Sequence, residues 1–247
     1  KQPNNYALLF ARGFVLVGMY RYKEALEAFD ASIRLSNGNE VVPLLGKASL
    51  LLKMGRVVDS FPIFDRIVNK LPLVSPYSYR ALDSYGRAMY LSGNTEESVR
   101  LYSRLVTLTT DKFIAGAVGL GYCKYLAGNY EEANSLFDKK MYAYTTMKRE
   151  NNDSDHFPVY SDIAYNKAIL GKILCSSVMF DDQNEAAKVE TSYINTFAQA
   201  KLTTVQRIEL LHDCAFAYQT RGLKGKAVEY YKKALDLNPN ELAIQDA

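Results

Sequence analysis

The sequence predicts an all-α fold, an α-solenoid built from about six stacked helical hairpins. Two observations support this prediction. One short pattern recurs five times: a small residue is followed four positions later by Phe or Tyr, and the first four copies lie 35, 38 and 35 residues apart. A Gly or Ala also stands twelve positions before each small residue. The small residues of the five copies are Ala25, Ser60, Ser98, Ala133 and Ala227.

The spacing within each copy is typical of two packed helices. Positions i and i+4 share one face of a helix, so the aromatic side chain fills the space beside the small residue. The Gly or Ala twelve positions earlier, such as Gly13 or Gly121, lets the first helix cross the second closely. In four copies a glycine turns the chain between the helices, and Tyr20 stands at that place in the first copy. A single hairpin cannot bury both of its faces, so neighbouring hairpins are expected to stack.

The positions of the copies divide the chain into three parts. Residues 1–143 contain four hairpins. Residues 205–247 contain a final hairpin and the start of a capping segment. The part between them, 144–204, is predicted to combine a polar loop with a degenerate hairpin.

Within this middle part the polar stretch 145–158 is predicted to be an exposed loop. Residues 159–180 and 184–200 are predicted to form the two helices of the degenerate hairpin. Gly171 is expected to be the residue at which the two helices of this hairpin cross closely, as Gly121 is in the hairpin before it. Thr204 is expected to cap the first helix of the final hairpin.

The recurring positions resemble those of the tetratricopeptide repeat family. That family has a period of about 34 residues, with Gly or Ala at position eight, Ala or Ser at position twenty, and Phe or Tyr at position twenty-four. The resemblance covers residues 6–143 and 205–241, and it implies a right-handed superhelix. The chain departs from the family because it contains no Trp. The residues at the usual Trp position are Leu44, Leu82 and Leu211.

The charge balance argues against nucleic acid and membrane partners. The net charge is +3 and charged residues make up 23% of the chain, without a basic cluster. Pentatricopeptide repeats have a similar period and bind RNA, and they would usually bring more basic charge. No apolar run reaches the roughly 18 residues that a membrane-spanning helix needs.

The sequence contains no arrangement of residues that predicts catalysis, a metal site or a cofactor. His156 and His212 are the two histidines, and a metal site needs three or four converging ligands. The stretch 116–121, "GAVGLG", lies inside a predicted first helix rather than between a strand and a helix, so it does not indicate a phosphate-binding loop. We therefore expect a protein that is not an enzyme.

The three cysteines, Cys123, Cys175 and Cys214, are odd in number and far apart. Buried free thiols are the expected interpretation, which weakly favours a reducing, cytoplasmic location. The chain begins with Lys1 rather than Met, and we expect a processed product or a fragment of a longer protein.

The family resemblance implies a binding groove on the concave side, lined by the first helices. In the family, the second, fifth, ninth, twelfth and thirteenth positions of each repeat face this groove. These positions are mostly apolar and aromatic here, with one charged segment, which suits a peptide or helical segment of a protein partner. The implied groove residues are Phe10, Phe14, Val17, Leu45, Ser49, Arg80, Asp83, Arg87, Tyr90, Val118, Tyr122, Tyr125, His212, Phe216 and Gln219. The alternative for each aromatic residue is packing against a neighbouring hairpin.

Three functions remain open at this point. The first is a protein–protein interaction scaffold that uses the groove. Family members that bind the carboxylate of chaperone tails have Lys and Asn where Phe10 and Phe14 stand here, so that partner class is disfavoured. The second is self-assembly into homo-oligomers or filaments, through the repeat ends or the convex side. The third is a ligand-sensing regulatory domain of a larger protein.

Overall fold

The computed structural model describes residues 6–73, 76–109, 113–149, 158–180 and 183–238. Every regular element in these ranges is helical, and the prediction of an all-α fold with six hairpins is confirmed, because twelve helices pair consecutively. The helices are α1 (Tyr6–Gly18), α2 (Tyr22–Leu35), α3 (Val41–Lys53), α4 (Val57–Asp65), α5 (Pro76–Leu91), α6 (Thr95–Leu108), α7 (Ile114–Leu126), α8 (Tyr130–Arg149), α9 (Pro158–Met179), α10 (Gln183–Ala198), α11 (Thr204–Thr220) and α12 (Lys224–Leu237).

The helices are grouped into two compact units whose boundary lies inside α5, after Ala88. Unit 1 holds α1 to α4 and the larger part of α5. Unit 2 holds the end of α5 and α6 to α12. A π-helical turn, Arg66–Lys70, continues α4.

Five of the turns between paired helices use the same hydrogen-bond pattern. In the third hairpin Gly93 has φ of 79°, its N–H donates to the Tyr90 carbonyl, and the Asn94 N–H donates to the Met89 carbonyl. These bonds satisfy the carbonyl groups that the helix end leaves open, and the left-handed backbone favours glycine. The same geometry recurs at Gly55, Gly128 and Gly222, and at Tyr20 in the first hairpin.

Tyr20 adopts φ of 58°, which strains a residue that has a Cβ atom. Replacing Tyr20 with Gly is expected to raise the free energy of unfolding by up to about 1 kcal/mol, since relief of strain exceeds the added flexibility of the unfolded chain. Urea denaturation measures the change. Gly222→Ala is the opposite substitution at an equivalent turn, and it is expected to destabilise by about 1–2 kcal/mol. If Tyr20→Gly instead lowered the free energy of unfolding, the contact between the Tyr20 and Tyr22 rings would contribute more to stability than the backbone strain costs.

The small–aromatic pairs lie in the core, as the spacing predicts. In the fourth hairpin Ala133 and Phe137 are fully buried. A Cβ atom added to Gly121 would lie 2.5 Å from the Phe137 ring, so α7 and α8 approach too closely there for any larger residue. Gly13 stands in the same relation to Phe29, where the added atom would lie 2.7 Å from the ring.

The register of the fifth hairpin differs from the prediction. Gly171 packs on Phe137, the aromatic residue of the preceding hairpin. Gly46 packs in this way on Phe29, the aromatic residue of the hairpin before it. Gly46 stands two positions before the crossing residue of its own helix, which is the eighth position of the repeat, so Gly46 is at the sixth. Gly171 makes the equivalent contact and therefore occupies the sixth position of its repeat and not the eighth. The sequence could not reveal this shift, because the polar stretch before residue 159 has no repeat positions from which to count.

Two predicted boundaries are also corrected. Residues 145–149 are helical rather than part of a loop, because α8 continues to Arg149. The Tyr144 ring stacks on Tyr165 at 4.3 Å and its hydroxyl bonds to Asp162, which ties the end of α8 to α9. Residue 158 begins α9, and the rest of the predicted loop, residues 150–157 with His156, lies outside the described residues.

The cap of α11 is Thr203 and not Thr204. The Thr203 hydroxyl accepts the Gln206 backbone N–H at 3.3 Å, and the Gln206 side chain accepts the Thr203 N–H at 2.9 Å. This reciprocal pair is a capping box, which Thr204 could not form because its partner three residues on is Arg207.

Candidate partner-binding surface

The predicted groove residues of unit 1 form a face that is open in part. Phe14 on α1 is 69% exposed, and its ring centroid lies 6.4 Å from that of half-buried Phe10. Phe10 in turn contacts Phe29 in the core at 5.8 Å, so Phe10 connects the exposed ring to the core. Val17 is half-buried and Ser49 on α3 is exposed.

Leu45 is the exception in unit 1, because it is buried in the core. The neighbouring Gly46 packs on Phe10 and Phe29, and this close approach of α1, α2 and α3 leaves Leu45 no exposed surface. Leu45 is therefore a packing residue rather than part of the surface.

Three charged residues on α5 complete the predicted groove residues of unit 1. Arg80, Asp83 and Arg87 are all half-buried. Their spacing of three and four residues puts them on one side of the helix. We call the set Phe10, Phe14, Val17, Ser49, Arg80, Asp83 and Arg87 the inner face of unit 1.

The predicted groove residues of unit 2 are mostly core residues, which corrects the expectation that they line an open groove. Tyr90, Val118, Tyr122 and Tyr125 are all buried. The cause is the packing of α7 against both α9 and α11. The first helices of unit 2 therefore fill the space in which these side chains were expected to be open.

The buried tyrosines contact one another and the neighbouring helices. Tyr90 meets Tyr122 at 5.9 Å and Phe216 at 5.1 Å, both edge to face. Its hydroxyl donates to the Asp213 carbonyl at 3.3 Å, and the Tyr122 hydroxyl donates to the Lys167 carbonyl at 3.0 Å. Burial raises the pKa values of Tyr90 and Tyr122 well above the usual range, so both hydroxyls stay neutral.

A buried ion pair lies beside these rings. Lys167 Nζ on α9 is 3.2 Å from Asp213 Oδ2 on α11, and the two side chains are 12% and 2% exposed. The Lys167 ammonium also lies 5.2 Å from the centroid of the Tyr122 ring. Sequence reasoning missed this pair. The available signal was the charge of Asp213 within the stretch 210–218, which is apolar apart from Asp213 and His212.

The last three predicted residues lie on α11. His212 and Phe216 are half-buried, and Gln219 is exposed. The His212 ring packs on Tyr231 at 5.6 Å, and Gln219 accepts a hydrogen bond from the Tyr231 hydroxyl at 2.8 Å. His212 and Gln219 therefore hold α12 against α11, whereas Phe216 packs on Tyr90, so all three residues make packing contacts within unit 2.

The three cysteines are free and buried. Burial raises the pKa of the Cys175 thiol to about 12, and it raises the pKa values of Cys123 and Cys214 as well. A thiol that stays protonated at neutral pH is a weak nucleophile. Over the part of the chain that the structure describes, His, Cys, Asp and Glu form no group that could hold a metal ion.

An open cavity of about 610 Å³ lies at the turn between α7 and α8, and the sequence did not indicate it. Tyr130 forms part of its wall, and the Arg221 guanidinium lies 5.3 Å from the centroid of the Tyr130 ring. The other lining residues are Gly128, Asn129, Glu131, Glu132, Val178 and Met179.

Residues 208–241 match the family model described as tetratricopeptide repeat. The final hairpin of the chain therefore carries a tetratricopeptide repeat. The match covers the final hairpin, where the sequence follows the family pattern most closely. None of the helices that the structure describes is long and apolar enough to cross a membrane.

Solved structures of tetratricopeptide repeat proteins are similar to this chain. One from Parabacteroides merdae ATCC 43184 is 17% identical with a TM-score of 0.63, over 99% of this chain and 83% of that chain. At this identity the likeness concerns the fold alone. YrrB, described as a repeat protein of this class with an unusual peptide-binding site, is 12% identical over 99% of this chain and 92% of its own. Its TM-score of 0.43 is too low to bear on this chain. No match was found among curated proteins.

Proposed function

We propose that this chain is a tetratricopeptide repeat protein that acts as a protein–protein interaction scaffold, and that the inner face of unit 1 binds an extended or helical segment of its partner. Repeats of this family generally mediate protein–protein interactions. The observation that carries the proposal is Phe14, a large aromatic side chain that is 69% exposed beside the half-buried ring of Phe10. Aromatic anchors of this kind supply large contact area at a small cost in rotamer entropy.

The charged side of the inner face supports selection among partners. Arg80 and Arg87 flank Asp83 on one side of α5, so the surface presents both signs of charge within two helical turns. Arginine binds carboxylates with two parallel hydrogen bonds, and complementary charge sets the register of a bound segment. A partner segment with an apolar side chain for Phe14 and a carboxylate for Arg87 fits this surface best. We also propose a reducing compartment, because all three cysteines are free.

Site-specific photo-crosslinking in cells tests the proposal. A photoreactive phenylalanine analogue at Phe14 is expected to form an adduct with a protein partner, which mass spectrometry identifies. The same analogue at Val58 is the control, since Val58 is 68% exposed on α4 and lies outside the inner face. Adding Arg87→Glu is expected to reduce the Phe14 adduct about tenfold, because it repels a carboxylate on the partner.

Three results would contradict the scaffold proposal. The first is equal crosslinking from positions 14 and 58. The second is the absence of any adduct at position 14. The third is an adduct that contains only two copies of this chain.

A further inference from the structure

The open cavity at the turn between α7 and α8 is lined from two helices with different chemistry. Glu131 and Glu132 lie in the first turn of α8, and Val178 and Met179 lie in the last turn of α9. Its volume of about 610 Å³ lies within the range of roughly 300–1,000 Å³ that is usual for ligand pockets. We call this cavity the turn pocket. All of its lining residues belong to unit 2, so it shares none with the inner face of unit 1.

Tyr130 forms a fixed aromatic wall of the turn pocket. Its ring centroid lies 5.4 Å from that of buried Tyr125, and the Cys175 thiol donates a weak hydrogen bond to the Tyr130 carbonyl at 3.8 Å. The Arg221 guanidinium lies 5.3 Å from the ring centroid and donates to the Tyr130 hydroxyl. The wall is therefore preorganised, which lowers the entropic cost of binding. It already holds one cation of this chain, so a cation is chemically compatible with this ring.

The start of α8 presents polar groups that the start of α6 uses within its own helix. Asn94 precedes α6, and its side chain accepts the Glu97 backbone N–H at 3.3 Å as a helix cap. Asn129 has the same place before α8, yet among the described residues its side chain forms no such bond, and it lines the turn pocket instead. The Glu131 carboxylate likewise pairs with no basic side chain of the described residues. An amide and a carboxylate are thus available to a ligand on the α8 side of the pocket.

We propose that the turn pocket binds an arginine or lysine side chain of a protein partner. Both charged lining residues are acidic, which favours a cation. Glu132 lies 3.0 Å from Lys124, so Glu131 is the carboxylate that remains for the ligand. Basic side chains have long aliphatic stems, and Val178 and Met179 supply an apolar surface on which such a stem packs.

Other classes of occupant fit the turn pocket less well. An acidic segment would meet the carboxylates of Glu131 and Glu132, and like charges repel. A purely apolar segment would bury the Glu131 carboxylate without a partner. A metal ion needs several converging ligands, and among the described residues His, Cys, Asp and Glu form no suitable group. An arginine or lysine side chain satisfies both the polar and the apolar side of the pocket.

Methyl NMR of methionine-labelled protein tests this inference, because Met179 lines the turn pocket. The probe is a pool of capped tripeptides with a central arginine and mixed flanking residues. The control pool has citrulline at the centre, which has nearly the same shape and no charge. The arginine pool is expected to shift the Met179 methyl resonance to saturation, and the citrulline pool to bind about fivefold more weakly. The Met19 methyl group, 56% exposed on α1, is expected to respond equally to both pools.

Two matched variants locate the charge that the ligand contacts. Glu131→Gln is expected to lower the affinity for the arginine pool about fivefold, to that of the citrulline pool. Glu96→Gln removes the same charge at the equivalent place of α6 and should leave the affinity unchanged. Both side chains are exposed, so both variants should fold as the unmodified chain does, which circular dichroism checks. A Met179 resonance that does not shift, equal binding of the two pools, or equal losses in the two variants would overturn the inference.

Discussion

Asp213→Ala is expected to lower the free energy of unfolding by about 3–5 kcal/mol, which is the cost of leaving one member of a buried ion pair without its partner. The Lys167 side chain is only 12% exposed, so its charge would lose the carboxylate 3.2 Å away and gain little hydration in return. Urea denaturation measures the loss, and the dependence of the free energy of unfolding on urea concentration is fitted separately for each variant. The helices α7, α9 and α11 meet at this pair, and we expect the whole of unit 2 to lose stability rather than α11 alone.

A control variant and a double variant make this prediction specific. Glu229→Ala breaks the exposed pair with Lys233, whose atoms are 2.7 Å apart, and it should cost well under about 1 kcal/mol. The double variant Lys167→Met with Asp213→Leu should recover most of the loss, because apolar residues of similar volume replace both charges. A single Asp213→Ala variant as stable as Glu229→Ala would show that Lys167 finds water or another partner.

Gly121→Ala is expected to lower the free energy of unfolding by about 2–3 kcal/mol, at the upper end of the usual cost of overpacking. The added methyl group would lie 2.5 Å from the Phe137 ring. The ring cannot move aside, because it is fully buried and Gly171 packs closely on it as well. The helices α7, α8 and α9 would have to separate. Thermal and urea denaturation measure the effect.

Gly18→Ala gives the opposite sign under the same chemical change. Gly18 ends α1, and an added Cβ atom would have no neighbour within 4 Å. Removing a glycine from a helix without a steric conflict is expected to stabilise by up to about 1 kcal/mol. If Gly121→Ala also raised the free energy of unfolding, helix propensity rather than close packing would determine the role of Gly121.

The repeat pattern alone predicted the helices, their pairing and the turns. The pair Ala133 and Phe137 is a local signal, because four residues along a helix always share a face. Gly128 is local as well, since a left-handed turn depends on the backbone of a single residue. These features depend on about 34 residues of sequence or fewer, and the predicted small–aromatic pairs and glycine turns were correct.

The exposure of the predicted groove residues depends on contacts between helices that are far apart in the sequence, and a local sequence pattern does not predict such contacts. Tyr122 and Phe14 both came from the ninth position of a repeat, yet Tyr122 is buried and Phe14 is exposed. The difference arises from α9 and α11, which pack against α7 and cover Tyr122. The hydrogen bond from Tyr90 to Asp213 joins residues 123 positions apart. The position of a residue in the family repeat predicts the direction of its side chain within the hairpin. It does not predict which later helix packs against that side chain.

The sequence by itself determined that this chain folds into stacked two-helix repeats and which residues pack within each repeat, because helical periodicity and glycine turns act over short distances. The tertiary structure alone decided which inner residues are open to a partner, where Gly171 sits in its repeat, and that Lys167 meets Asp213. The physical reason is that these outcomes depend on the separation and register of helices that are far apart in the chain. Packing density sets that separation, and it is a property of the whole core.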